Sequence, residues 1–137
     1  MTNLALARSY LFKAQKRLKI LPVLLEEEDF SDVVREAQEV VELALKAMLR
    51  YVGVDPPKWH DVGRVLLENA DLFPEDIRLE LPELARISKR LRKERELAFY
   101  GDIDFIPTEE YGPEEAREAM AEAEKVVRVA RELIGGD

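Results

Sequence analysis

Apolar residues recur every three or four positions along most of this chain, which is the spacing of one face of an α-helix. The clearest run follows Ser31 and Asp32, either of which is suited to cap a helix. Gly53 stands where glycine commonly ends one. The pattern predicts an amphipathic helix whose buried face holds Val33, Val34, Ala37, Val40, Val41, Ala44, Leu45, Met48, Leu49 and Val52.

Three further long segments show the same helical spacing. The first has a strict apolar heptad that Pro22 should end or kink near Leu21, because proline lacks the N–H and clashes with the preceding turn. Pro82 suits the first turn of a second segment, and Pro113 the start of the last. The heptad comprises Leu4, Ala7, Leu11, Ala14, Leu18, Leu21 and Leu25, and the last segment has Ala116, Ala119, Met120, Ala123, Val127, Ala130 and Ile134 on one face.

A shorter apolar pattern over residues 60–69 predicts one additional short helix, and no stretch alternates as a β-strand does. The stretch "YGDIDFIPTEEYGP" reads as a long loop, and long loops in compact domains are often functional. The predicted fold is therefore all-α, an up-and-down antiparallel four-helix bundle with one extra short helix. A length of 137 residues fits a single domain spanning 1–137.

Composition narrows the class of protein. Hydrophobic residues make up 47% and charged residues 36%, which indicates a globular chain. The absence of cysteine, of a signal peptide and of a long apolar run favours a cytoplasmic protein without a membrane association. A net charge of -8 argues against non-specific coating of nucleic acid. The many Glu, Lys and Arg residues, with few Asn and Gln, are typical of thermophile proteins.

The segment "LRKERELAFYGD", residues 91–102, places arginine where a helix should be apolar. Arg95 falls in the middle of the apolar face and Arg92 near its edge, whereas Arg90 and Glu94 fall on the polar face. An arginine there needs a partner, because an unpaired buried charge is too costly. The partner is either a phosphate or RNA backbone, whose oxygens match the guanidinium fork, or a carboxylate such as Asp102.

Metal and cofactor signals are weak. His60 is the one histidine, with no second ligand at metal-binding spacing, and Asp61 beside it suits a helix N-cap. The acidic loop fails the calcium-loop template, because Pro113 stands where the bidentate glutamate belongs. Glycine-rich phosphate loops and nucleophile–base sets are missing as well. We therefore predict no metal, no cofactor and no assigned catalytic residue.

Three segments in this order resemble the HEPN domain family: "VVREAQEVVELALKAMLRYVGVDPPKWHDVG", "RKERELAFYGDIDFIPTEEY" and "EAREAMAEAEKVV". The resemblance implies an all-α bundle that is usually a homodimer. Many members are encoded beside a small nucleotidyltransferase and act as toxin–antitoxin pairs. Many others are metal-independent ribonucleases, whose active site is an arginine followed, after four to six residues, by a histidine at the dimer interface.

The chain departs from that ribonuclease motif. With six residues between them, the residue after Arg92 is Phe99. With four residues between them, the residue after Arg95 is Tyr100. Neither arginine therefore has a histidine at the spacing of the motif. Phenylalanine cannot move a proton, and an unperturbed tyrosine titrates only near pH 10. The pattern "RExAxYGD" instead resembles a sub-branch without the histidine.

The resemblance implies a dimeric module that binds a nucleotide or RNA and acts with a separately encoded nucleotidyltransferase. The implied ligand-binding residues are Arg92, Arg95, Tyr100, Asp102 and His60. Two alternatives stay open. The first is a metal-independent endoribonuclease in which an arginine stabilises the phosphorane charge. The second is a dimerisation module without a ligand.

Overall fold

The computed structural model describes residues 3–58, 61–99 and 101–135, and for residues 95–99 the backbone only. No β-strand occurs in these ranges, where a single isolated bridge joins Asp102 and Phe105. The all-α class is confirmed. The α-helices are α1 (Asn3–Leu18), α2 (Leu21–Glu26), α3 (Phe30–Tyr51), α4 (Val62–Glu68), α5 (Glu75–Arg78), α6 (Leu81–Phe99), α7 (Pro107–Glu110) and α8 (Pro113–Ile134), with a 3-10 turn at Ala70–Leu72.

The four long helices α1, α3, α6 and α8 form an up-and-down bundle around α3. Arg17 near the end of α1 pairs with Glu36 near the start of α3, at 3.2 Å. At the opposite end Arg50 donates to the side chain of Asn3, so α1 and α3 run antiparallel. Helix α3 packs against α1, α6 and α8. Because α3 contacts every other long helix, its apolar face forms the centre of the core.

The bundle buries the predicted apolar faces of α3 and α8, whereas the predicted N-terminal heptad is buried only in part: Leu4 is 40% exposed, and Leu18 and Leu25 are half-buried. On α3 every predicted core residue is buried except Val52, which packs partly against the core. On α8 the predicted face is buried apart from the half-buried Met120, and Val126, Val129 and Leu133 widen it. Burial of apolar area at about 25 cal/mol per Å² is the main stabilising term for such a bundle.

Short helical segments are more numerous than the sequence pattern predicted. Within the described ranges, α2, α5, α7 and the 3-10 turn accompany the predicted α4. Proline explains two of them: Pro22 separates α2 from α1, and Pro107 begins α7 inside the stretch predicted to be a loop. A segment of one turn is too short to show an apolar period, so the sequence pattern missed it.

Helix ends were predicted with mixed success. Asp61 caps α4 as expected, accepting a hydrogen bond of 3.0 Å from the backbone N–H of Gly63. Gly53 follows the end of α3 with φ +87°. The predicted caps of α3 were wrong: Asp29 is the N-cap, and Ser31 and Asp32 lie inside the first turn. Ser31 is buried there, where it cannot serve as the boundary residue.

Across the described ranges, the helices are all either too short or too polar to cross a membrane.

Candidate functional site

The C-terminal half of α6 contains the arginines that the sequence singled out. Leu91 is fully buried and fixes this part of the helix against the core. The next residue, Arg92, is half-buried, and its Nη1 atom is inaccessible to solvent. Arg92 takes part in a polar or electrostatic contact, so its charge is accommodated in the folded chain. Arg95 lies on the same helix about one turn further on, but its side chain is outside the description.

Arg90 does not point to open solvent as its polar-face assignment predicted. Its guanidinium forms an ion pair with Glu122 on α8, whose side chain is only 13% exposed. Arg86 also reaches Glu122, at 3.2 Å, and pairs with Glu83 at 2.9 Å. Lys125 and Glu80 meet at 3.5 Å, so α6 and α8 are antiparallel and joined by ionic side chains. A helical wheel of α6 alone cannot show that α8 covers its polar side.

Glu94, likewise assigned to the polar face, is linked to Tyr111 instead. The Tyr111 hydroxyl donates a short hydrogen bond to the Glu94 carboxylate, and Tyr111 itself is buried. Burial raises the pKa of Tyr111 above its ordinary value, and the Glu94 carboxylate raises it further because a second negative charge beside it is unfavourable. Tyr111 therefore stays protonated, and it joins α6 to the residues that lead into α8. Sequence reasoning missed both residues.

A tight turn follows α6 directly. Gly101 has φ +71°, and a Cβ atom there would lie 2.4 Å from the backbone oxygen of Phe105. Asp102 and Phe105 exchange two backbone hydrogen bonds, of 3.0 and 3.1 Å. The Phe105 ring then packs edge-on against Tyr111, with centroids 5.6 Å apart. Only glycine fits at position 101, and the turn is fixed at both ends.

The structure describes some of the predicted binding residues and not others. Asp102 is in the turn, exposed, and its Oδ1 accepts a hydrogen bond of 2.9 Å from the backbone N–H of Asp104. Its carboxylate therefore caps the turn, and its pairing with an arginine stays a prediction. His60 and Tyr100 lie outside the described residues, so their roles also stay predictions. Of the predicted binding residues, the structure therefore describes the side chains of Arg92, on α6, and Asp102, in the turn.

Two isoleucines at the turn are exposed to solvent. Ile103 at its tip is 94% exposed and Ile106 is 50% exposed. In the part of the chain that the structure describes, no three His, Cys, Asp or Glu side chains are grouped to hold a metal ion. The turn and the short helix after it therefore present two exposed isoleucines together with the exposed carboxylates of Asp102, Asp104, Glu109 and Glu110.

An all-α up-and-down bundle is the architecture implied by the HEPN resemblance. Residues 7–133 match the family model described as HEPN domain, so the chain belongs to the HEPN family. It is 26% identical over 139 residues to a protein of Methanocaldococcus jannaschii named "Putative toxin MJ1304", covering 96% of this chain and 90% of that protein. No solved structure matches the chain significantly.

Proposed function

We propose that this HEPN protein is toxin-like, forms a homodimer, and binds a nucleotide or RNA at the C-terminal half of α6. It acts together with a separately encoded nucleotidyltransferase. The observation that carries the proposal is Arg92, half-buried in the second half of α6 with its Nη1 atom inaccessible to solvent, in a chain whose family match spans residues 7–133. The similarity to a protein named as a toxin supports the toxin-like part.

Anion binding follows from the chemistry of the helix end. Arginine keeps its charge and offers a planar set of donors that matches phosphate oxygens. Arg92 and Arg95 are three positions apart on α6, which places them on adjoining parts of its surface. Hydrogen bonds fix the turn beyond them, so binding a ligand there costs little ordering of that turn.

A dimer is supported by the exposed tip of the turn. Ile103 is 94% exposed and Ile106 is 50% exposed. Together they form apolar surface that a partner would cover. In a two-fold symmetric dimer the same patch meets itself. Such a contact near the end of α6 would bring the two pairs of arginines together and produce a cationic cleft between the subunits.

Proton transfer is the step for which this chain is poorly equipped. Phe99 and Tyr100 stand where the family's ribonuclease motif has histidine. Tyr111 cannot substitute as a base, because its raised pKa keeps the hydroxyl protonated. We therefore expect little intrinsic ribonuclease activity. The nucleotidyltransferase would supply the transfer chemistry.

The proposal is tested by titration calorimetry with ATP and with a short single-stranded RNA. Wild type should bind one of them, and Arg92→Gln/Arg95→Gln should lose that binding while its circular dichroism spectrum shows that it is folded. The matched control is Arg64→Gln, an arginine on α4 with a 77% exposed side chain. Light scattering should give twice the chain mass of 15.8 kDa. A monomer, or the absence of binding to either ligand, would contradict the proposal.

A further inference from the structure

The charges of this chain are strongly segregated. The first twenty residues contain five Lys or Arg residues and no Asp or Glu. The rest of the chain holds all 29 acidic residues and the other 16 basic ones. Since α1 runs from Asn3 to Leu18, this helix is a cationic strip on an otherwise acidic protein. Such asymmetry indicates a surface for an anionic partner.

The strip also exposes apolar residues between its cations. Phe12 is 58% exposed, and the Lys16 ammonium lies 5.1 Å from the centre of its ring. Ile20, just beyond the helix, is 46% exposed. We call this set the α1 surface: Phe12, Lys13, Lys16, Lys19 and Ile20.

Two grooves flank Phe12 on the α1 surface. One, of about 380 Å³, lies between α1 and α8 and is lined by Lys16, Lys19 and Arg131 as well as by the apolar Leu18 and Val127. The other, also about 380 Å³, follows the outer side of α1 past Lys13 and Ile20. Both grooves therefore combine apolar floor with positive charge.

Within the described part of the chain, the lysines of the α1 surface are not neutralised by ion pairs. Among the described residues, no carboxylate lies within ion-pair distance of Lys13, Lys16 or Lys19, whereas Arg17 on the same helix pairs with Glu36. Their charge therefore faces outward, where it can pair with a partner's carboxylates.

We propose that the α1 surface docks an acidic amphipathic segment of a partner protein. Apolar side chains of such a segment would enter the grooves beside Phe12 and Ile20, and its carboxylates would pair with the lysines. A basic amphipathic helix of a target protein meets an acidic, apolar partner in the same way. The α1 surface spans nine residues, from Phe12 to Ile20, or about 13 Å at 1.5 Å per residue, and therefore suits two to three turns of a helix.

The surroundings of the strip disfavour larger anions. Glu26 at the end of α2 and Glu27 and Glu28 directly after it are exposed, and Glu124 lines the groove beside Lys19. A long RNA or a flat anionic bilayer lying along α1 would meet these carboxylates and be repelled. A compact segment confined to the strip avoids them. The proposal does not depend on the proposed function, because the α1 surface and the end of α6 share no residue.

The test uses a fluorescein-labelled helical peptide of about four turns with Leu and Glu at amphipathic spacing. Binding to the full chain is followed by fluorescence anisotropy. Lys16→Glu/Lys19→Glu and, separately, Phe12→Ser should each weaken binding about tenfold or more. The control is Lys58→Glu/Lys89→Glu, which makes the same charge change at two exposed lysines elsewhere and should have a much smaller effect.

Competing occupants give distinct results, each of which overturns the proposal. One such result is that a short RNA or phosphatidylserine vesicles bind more tightly than the peptide does. Another is that an all-Glu peptide binds as tightly as the amphipathic Leu/Glu peptide. The third is that wild type does not bind the peptide. An altered solution mass in Lys16→Glu/Lys19→Glu would assign the surface to a second copy of the chain. Circular dichroism checks that each variant is folded.

Discussion

The hydroxyl of Tyr111 and the carboxylate of Glu94 connect two elements that the chain separates by a whole turn and a short helix. Glu94 lies on α6 two residues beyond Arg92, and Tyr111 stands immediately before the Gly-Pro that starts α8. The hydrogen bond therefore fixes the arginine-bearing end of α6 relative to α8. This contact and the Gly101 turn together define the shape of the candidate site.

Tyr111→Phe should destabilise the fold by about 1.5–3 kcal/mol, because the half-buried Glu94 carboxylate loses its donor. Urea unfolding measures the change. Tyr51→Phe, at an exposed tyrosine near the end of α3, is the matched control and should stay within about 0.5 kcal/mol. Equal stability of the two variants would show that the hydrogen bond contributes nothing.

The same tyrosine should make the protein sensitive to alkali. The pKa of Tyr111 is raised in the folded state, so above about pH 10 the unfolded chain loses this proton while the folded chain keeps it. Stability from this group is present below that pH and falls as pH rises further. Thermal melts should show a steeper alkaline decline for wild type than for Tyr111→Phe. Parallel declines would contradict the raised pKa.

Gly101→Ala should be more damaging than the same change at Gly53. Both glycines have positive φ, of +71° and +87°, and share that backbone penalty of about 1 kcal/mol. Only at Gly101 does an added Cβ meet other atoms, 2.4 Å from the Phe105 oxygen and 2.6 Å from Pro107. At Gly53 nothing lies within 4 Å. We expect an extra loss of about 1–3 kcal/mol for Gly101→Ala in chemical denaturation, and similar losses for both variants would refute the packing explanation.

Another prediction concerns Asp32 in the first turn of α3. Burial and the nearby Asp29 raise the pKa of Asp32 from 3.8 to about 6, with Arg35 opposing and Glu36 adding to the shift. The folded state thus holds a proton that the unfolded state releases. Stability from this group is present below pH 3.8 and is lost as pH rises through about 6.

Asp32→Asn should therefore be more stable than wild type at neutral pH and should flatten the dependence of melting temperature on pH between about 4 and 6. The control is Asp76→Asn, at an exposed aspartate that also lies in a first helical turn, where no such flattening is expected. An unchanged slope in Asp32→Asn would show that another group titrates there.

The ion pair of Arg90 and Glu122 should matter more than an exposed pair. Arg90→Ala leaves Glu122, 13% exposed, with Arg86 as its one remaining cationic partner among the pairs described above, and should cost about 1–3 kcal/mol. Arg64→Ala breaks a pair whose side chains are 77% and 57% exposed, and should cost less than about 1 kcal/mol. Thermal unfolding of both variants gives the comparison, and equal losses would count against a structural role for the α6–α8 pair.

The sequence predicted most of what depends on a single helix. Apolar spacing identified the buried faces of α3 and α8, and proline and glycine marked helix ends, because these signals are local. The arginines of α6 were also singled out by their position in an apolar stripe. The spacing of residues in one helix does not show which other element packs against it. Arg90 and Glu94 were therefore assigned to the solvent-exposed face, whereas in the structure they contact Glu122 of α8 and Tyr111.

The short helical segments could not be predicted from apolar spacing either. Four residues at Pro107–Glu110 are one helical turn and show no periodicity. Asp29 is the N-cap of α3 although Ser31 and Asp32 have equally suitable side chains, since the packing of Ser31 into the core decides where the helix begins. Tyr111 had no distinguishing spacing, and only its burial and its partner reveal its role.

The most direct test of the proposed binding site is hydrogen exchange measured by mass spectrometry, with and without the ligand that wild type binds in calorimetry. We predict that ligand slows amide exchange in residues 91–112, at the end of α6 and in the turn after it, and that Arg92→Gln/Arg95→Gln abolishes this protection. Protection confined to α1, or protection at residues 91–112 that persists in the double variant, would contradict the assignment of the ligand to these arginines.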